Sequence, residues 1–320
     1  MDDRAPSSTR KPISEAAIHD DPARSSPEAP AGHLSIHVWS EGGVRIVHAL
    51  DEVSAALSDP DARLWVDVED ATTEILGELG SVLGLHDLVA EDIIERRQRA
   101  KLVAWDDGLH LVLFALAHDG ELIASEVDLV LGRRFLLTSH TSGWRPVEVL
   151  SLERRGIGSL LAQGMDMLLY AVVDPIVDGY FPVIETISDE IDELEDAVVR
   201  RPDAGIVERL FRVRRALLEV RHLVSPEREI LNQLANRDLP FVDPAHRVYF
   251  RDVYDHTIRV TEELDTHREV AAAVLDAYLT SVNNDLSDVM KRLTAITAVV
   301  AGVGAAAGIF GMTWKRSGVI

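Results

Sequence analysis

The sequence predicts an α/β amino-terminal domain, a mainly antiparallel sheet with helices, followed by an all-helical part whose long stalk helix runs into one transmembrane helix. Three observations carry this. Short β-like runs broken by Gly- and Asp-containing turns fill the first half of the chain. No proline interrupts the stretch between Pro244 and Trp314. Leu293 to Trp314 contains no charged side chain, and at 1.5 Å per residue it spans about 33 Å, enough to cross a hydrocarbon core of about 30 Å.

The elements follow in order. Residues 1–31 mix Pro, Ser, Ala and charge without an apolar core and are expected to be a disordered tail, not a secretory signal. Residues 32–145 form the α/β domain. "LSIHVW" and "GVRIVHAL" are strands around the Gly42-Gly43 turn, and "RLWVDV" is a third. Asp70 is placed to cap a helix through "ATTEILGELGSVLGL", and "DLVAEDIIERRQR" reads as a further charged, amphipathic helix. A meander follows, "KLVAWDD", "LHLVLFALAHD", "ELIASEVDLVL" and "RRFLLTSH", with breaks at Asp107-Gly108, Asp119-Gly120 and Gly132.

Residues 146–241 are helical. Ile184, Ile187, Ile191, Leu194 and Val198 step along one helix face, while Asp189, Glu190, Asp192, Glu193, Glu195 and Asp196 occupy the other. Pro202 marks a turn, Asp203 is placed to cap the next helix, and "IVERLFRVRRALLEVRHLV" is basic where its neighbour is acidic. The two are expected to pack as an antiparallel pair. Residues 242–292 are the stalk, in which Leu275, Leu279, Val282, Leu286, Val289 and Leu293 alternate steps of four and three, a coiled-coil-like seam. So long a helix needs partner helices or a membrane. Residues 293–314 are the membrane helix, rich in Ala and Gly, with Gly304 and Gly308 at the small-xxx-small spacing that lets membrane helices approach closely. Lys291 and Arg292 precede it, and Lys315 and Arg316 begin a short tail, residues 315–320.

Composition limits the functions available. The formal net charge is −22, from 54 acidic and 32 basic residues, which disfavours nucleic acid as a partner and favours attraction of cations. Cysteine is absent, so no thiolate ligand or nucleophile exists. There is no P-loop, no G-x-S-x-G and no H-E-x-x-H, and the His residues are scattered; an enzyme is not expected.

Several segments are recognisable together. "YFRDVYDHTIRVTEELDTHREV", "LDAYLTSVNNDLSDVMKRLTAIT" and "AGIFGMT" closely resemble the carboxy-terminal part of the CorA family of magnesium transporters. "VMKRLT" is similar to that family's entry to its first membrane helix, and "FGMT" stands where its YGMN signature belongs. "LVAEDIIERRQRAKLVAWDDGLHLVLFAL", "DPIVDGYFPVIETISDEIDELED" and "VRRALLEVRHLVSPEREIL" match the family pattern in order, so the resemblance covers roughly residues 60 to 314.

The resemblance implies a homopentamer in the plasma membrane, with a large cytoplasmic amino-terminal domain and a pore lined by five copies of the first membrane helix. It implies Mg2+ as the transported and regulatory ion, with Co2+, Ni2+ or Zn2+ as further candidates. Carried over by position, Gly311, Met312 and Thr313 form the pore mouth, where polar oxygens grip the water shell of an ion that dehydrates reluctantly. Met290 and Leu293 correspond to an apolar gate that blocks ions by dewetting, Ser287 to a polar ring, and Asp276 to the cytosolic pore entrance. Asp92 and Asp252 match carboxylates that bind regulatory magnesium between subunits and hold the closed state.

Departures from the pattern bear on the pore. Thr313 and Ser287 each replace an Asn of the family, Gly302 stands where Pro is common, and Lys315 and Arg316 bring positive charge to the mouth. No second membrane helix follows in this sequence, which is the expectation for a shortened form of a longer protein. The alternatives are a non-conducting, membrane-anchored metal-sensing or regulatory subunit, or a zinc-type transporter of the same family.

Overall fold

A seven-stranded sheet organises the first half of the molecule, with strand order β2-β1-β3-β7-β6-β5-β4. The strands are β1 His33–Ser40, β2 Gly43–Val47, β3 Arg63–Glu69, β4 Lys101–Trp105, β5 Gly108–Asp119, β6 Glu121–Gly132 and β7 Phe135–His140. The computed structural model describes residues 32–316 except 42, 48, 97, 142–143, 147–149, 151–155 and 201–203, and excepting the side chains of 51, 204 and 310–316. The expected tail, residues 1–31, and the Asp203 cap lie outside the described residues. Neighbouring strands pair antiparallel except β3 and β7, which run parallel at the centre.

Three helices cover one face of the sheet: α1 Leu50–Leu57, α2 Thr73–Leu83 and α3 Asp87–Glu95. Leu64, Val66, Val68, Val130 and Leu137 meet Val53, Leu76, Leu79, Val89 and Ile93 there. Helix α1 was not anticipated, because its eight residues make only about two turns and carry little periodicity. Helix α2 corrects the expected cap. Thr72, not Asp70, accepts from the Ile75 amide, and Asp70 turns the chain with φ 52°. Helix α3 is shorter than its charge pattern suggested, ending where Arg96 adopts φ 44°.

The other face packs on α4 Gly156–Gln163, α5 Met165–Asp178, α6 Tyr180–Arg200 and α7 Ala204–Asn236, and on the first part of α8 Arg247–Arg316. The alternate residues of the strands, Leu109, Leu111, Leu113, Val127, Leu129 and Leu131, join Val172, Ile176, Ile187, Leu217, Leu231 and Phe250 in one core. The acidic and basic helices do pack on each other, with Arg209 bonded to Glu190 and Glu193. Gly179 separates α5 from α6, and α7 continues through Pro226 to Asn236 instead of ending near Val224.

Glu227, wholly buried on α7, ties these layers together. Its Oε1 accepts from the Phe114 amide of β5 at 2.7 Å, and its Oε2 is in short contact with the Tyr180 hydroxyl of α6. Tyr180 also donates to the Phe114 carbonyl at 2.9 Å. Burial pushes the Glu227 carboxyl up to about 8 and holds the Tyr180 hydroxyl well above its ordinary value.

Candidate functional site

Helix α8 has two halves with different surroundings. Phe250, Val253, Val260, Leu264, Ala271 and Val274 are buried against α5, α6 and α7. From Val282 to Ile309 the side chains stand exposed, among them Leu286, Val289, Ile296, Val299 and Val303. Two stretches of the described residues are long and apolar enough to cross a membrane, Met165–Arg200 and Arg247–Ile309. In the first, 61% of the most apolar window is buried and serves as core; in the second none is. The whole of α8 spans about 105 Å.

Of the expected pore residues, Ser287, Met290 and Leu293 lie in this exposed part and Asp276 just before it. Asp276, Ser287, Met290 and Leu293 all expose their side chains. At a seven-residue repeat Asp276, Asn283 and Met290 fall on one line, with Ser287 and Leu293 flanking it. Ser287 Oγ donates to the Asn283 carbonyl at 2.9 Å, and Thr294 and Thr297 donate to Met290 and Leu293 carbonyls at 2.8 Å. Each hydroxyl thus spends its proton on its own helix and keeps lone pairs for the hydrogens of water. Gly311, Met312 and Thr313 lie within α8, and their side chains fall outside the described residues.

A second group of candidate ligands sits at the packed foot of α8. Asp174 and Asp178, four apart on α5, face His256 on α8, and one ligand atom from each lies within 4.8 Å of the others. His256 Nδ1 is 3.1 Å from Asp178 Oδ1, and Tyr170 donates to Asp174 Oδ2 at 3.4 Å. Burial, then the neighbouring Asp178, pushes the Asp174 carboxyl up to about 6; Asp252 adds to the push, while His256 and Tyr170 oppose it. Phe181 packs edge-on to the His256 ring. Two carboxylates and an imidazole nitrogen are a donor set for a divalent cation; the nitrogen suits cobalt, nickel or zinc, the oxygens magnesium.

Asp252, exposed one turn before His256, lies at the edge of this group. Asp92 does not. It sits on α3, on the opposite side of the sheet, and its Oδ2 accepts from Lys101 Nζ at 2.5 Å. No hydrogen bond or ion pair joins Asp92 to Asp252 among the described residues. Sequence reasoning missed Asp174, Asp178 and His256. The available signal was a pair of i,i+4 spacings, "DPIVD" and "DVYDH", which aim two ligands each from one helix face.

Comparison with known proteins fits this geometry. The model of the CorA-like Mg2+ transporter protein family matches residues 61–315. The cobalt/magnesium transport protein CorA of Thermotoga maritima is 34% identical over 264 residues, covering 80% of this chain and 75% of that protein. The cobalt/magnesium transport protein CorA of Methanocaldococcus jannaschii is 25% identical over 288 residues, covering 88% of this chain and 89% of its own. The zinc transport protein ZntB of Yersinia enterocolitica is 21% identical over 255 residues, with 78% and 75% covered. Among solved structures, the complete CorA magnesium transporter of M. jannaschii superposes with TM-score 0.73 at 22% identity, covering 87% of this chain and 86% of that one. At that identity it shows the fold alone. With a family match across most of its length and a relative above 30% identity, the chain belongs to the CorA-like Mg2+ transporter family.

Proposed function

We propose that this chain is the subunit of a homopentameric divalent-cation channel, carrying magnesium first and cobalt, nickel or zinc as alternatives, and gated by intracellular magnesium. The coarser statement stands on family membership: a divalent-cation transporter in the membrane with a large cytoplasmic soluble domain. The finer one is supported chiefly by α8, which brings Asp276 and, in its exposed part, Ser287, Met290 and Leu293 onto one side of the helix, just ahead of the uncharged run that begins at Leu293.

In this reading five copies of that part enclose the pore. Asp276 gathers cations at the cytosolic entrance, and Ser287 offers hydroxyl oxygens to a hydrated ion. Met290 and Leu293 form the ring that dewets and closes. Gly311, Met312 and Thr313 hold the outer water shell, Thr313 through a hydroxyl where relatives of this type use an amide. Asp92 of one subunit and Asp252 of its neighbour share a regulatory cation. Their separation on opposite sides of the sheet within one chain favours a bridge between copies. Magnesium binding there stabilises the closed ring, and its loss leaves carboxylates that repel.

Uptake in a magnesium-starved host lacking its own transporters tests the proposal: expression is expected to restore growth on low magnesium. Absence of uptake of Mg2+, Co2+, Ni2+ and Zn2+ alike would leave the second reading, a membrane-anchored metal-sensing subunit. The Asp174–Asp178–His256 group beside an altered mouth is the observation behind that second reading.

A further inference from the structure

Beneath the end of α3 lies a buried polar patch that neither the pore nor the metal group uses. Lys101 of β4 stands opposite Val112 of β5, Val112 opposite Asp128 of β6, and Asp128 opposite Ser139 of β7. Directly opposed residues share a sheet face, so Lys101, Asp128 and Ser139 point to the same side, toward α3. Glu126, two residues from Asp128, joins them. Asp128 and His110 are wholly buried and bonded at 2.8 Å, and Glu126 is 9% exposed. Glu126 Oε2 accepts from the Gln98 amide at 3.4 Å, while Glu126 Oε1 is buried with no hydrogen-bond partner among the described residues.

The Lys101 ammonium is shared out above this patch. It donates to Asp92 Oδ2 at 2.5 Å and to the Gln98 side-chain oxygen at 3.1 Å. The same residue, Gln98, therefore contacts Lys101 with its side chain and Glu126 with its backbone. The ammonium pairs with Asp92, while Glu126 lies close enough to feel its charge, together with that of Arg96. A divalent cation at Asp92 competes with it, because two cations held on one half-buried carboxylate repel each other.

We propose that Lys101 is a built-in counter-ion of Asp92, exchanged against the regulatory cation, and that the unpartnered oxygen of Glu126 receives the released ammonium. The inference rests on the reading of Asp92 as a cation ligand. Lys101 occupies Asp92 when divalent cation is scarce, and so tempers, without abolishing, the repulsion that loss of the cation leaves between Asp92 and the neighbour's Asp252. It raises the concentration at which the cation binds. Glu126 lowers the cost of displacement by offering a buried acceptor that is otherwise unmet. Lys101 and Glu126 are positioning residues; neither touches the cation.

Magnesium titration of the purified full chain by calorimetry tests this with a set of variants. Asp92→Asn is expected to abolish the binding component that Asp92 supplies. Lys101→Met and Lys101→Gln are expected to tighten that component roughly three- to tenfold. Glu126→Gln is expected to weaken it roughly two- to fivefold in the parent, and to leave it unchanged when combined with Lys101→Met. Loss of the component in Asp92→Asn with no tightening in either Lys101 variant overturns the exchange. So does a Glu126→Gln effect that persists without Lys101. Unchanged binding in Asp92→Asn overturns instead the ligand reading of Asp92.

Discussion

Glu227→Gln probes the link between β5, α6 and α7. In its neutral form Glu227 completes a closed ring. The Phe114 amide donates to Oε1, Tyr180 donates to the Phe114 carbonyl, and the carboxyl proton bridges Oε2 and the Tyr180 oxygen. Glutamine reproduces this ring with its amide and carries no titratable proton. The carboxyl is raised from 4.5 to about 8, so its stabilising contribution is fully present below the unfolded value and is lost as pH rises through about 8. Across that window the loss is on the order of 5 kcal/mol, because burial, not a charged partner, sets the shift. The group is wholly buried, so solvent screening does not reduce the figure. Thermal unfolding of the two proteins in detergent is the assay, at pH 5 and pH 9. At pH 5 the midpoints are expected to lie close together. At pH 9 the variant is expected to unfold higher, by roughly 5–10 °C for a chain of this size. Other titrating groups are common to both proteins and cancel in the difference. A difference in midpoint that does not change between pH 5 and pH 9 refutes the buried, neutral carboxyl.

Three further predictions follow from the site. His256→Ala removes the only nitrogen donor of the Asp174–Asp178–His256 group, and is expected to weaken cobalt binding at least tenfold while changing magnesium binding far less, by calorimetry. Because Asp174 must shed its proton to bind, and is raised to about 6, the affinity of this group is expected to be level above pH 7 and to fall up to tenfold per unit below about 6. A pH-independent titration would exclude Asp174 as a ligand. If Leu293 forms the proposed apolar ring, Leu293→Asn is expected to wet it and raise cation leak at saturating magnesium, measured as current across a planar bilayer.

The strands, the two-faced helix pair and the uncharged run were legible because each is written in local periodicity. Ile184 to Val198 mark one face by themselves, and the alternate residues Leu109, Leu111 and Leu113 of β5 and Val127, Leu129 and Leu131 of β6 enter one core. What failed depended on context. Asp70 looked like a helix cap, but the chain reverses there and Thr72 takes the role. Proline normally ends a helix, yet Pro226 sits inside α7, one residue before the buried Glu227 that anchors the helix to the sheet. Family resemblance singled out Asp252, but His256 joins Asp174 and Asp178 only because α5 packs on α8, and no local pattern records that meeting. The parallel contact of β3 with β7 is likewise a long-range event between strands that look alike in sequence.

The foot of α8 and its exposed half belong to one helix with no proline between Arg247 and Arg316. From His256 to Met290 the axis runs for about 50 Å without a hinge. A helix of that kind is a lever. A tilt of only about 5° about the foot carries Met290 sideways by about 4 Å, more than the radius of a water molecule. In the proposed pentamer, the side chains at the foot therefore need to move very little, less than a hydrogen bond's length, for the far end to change the width of the opening the helices would surround.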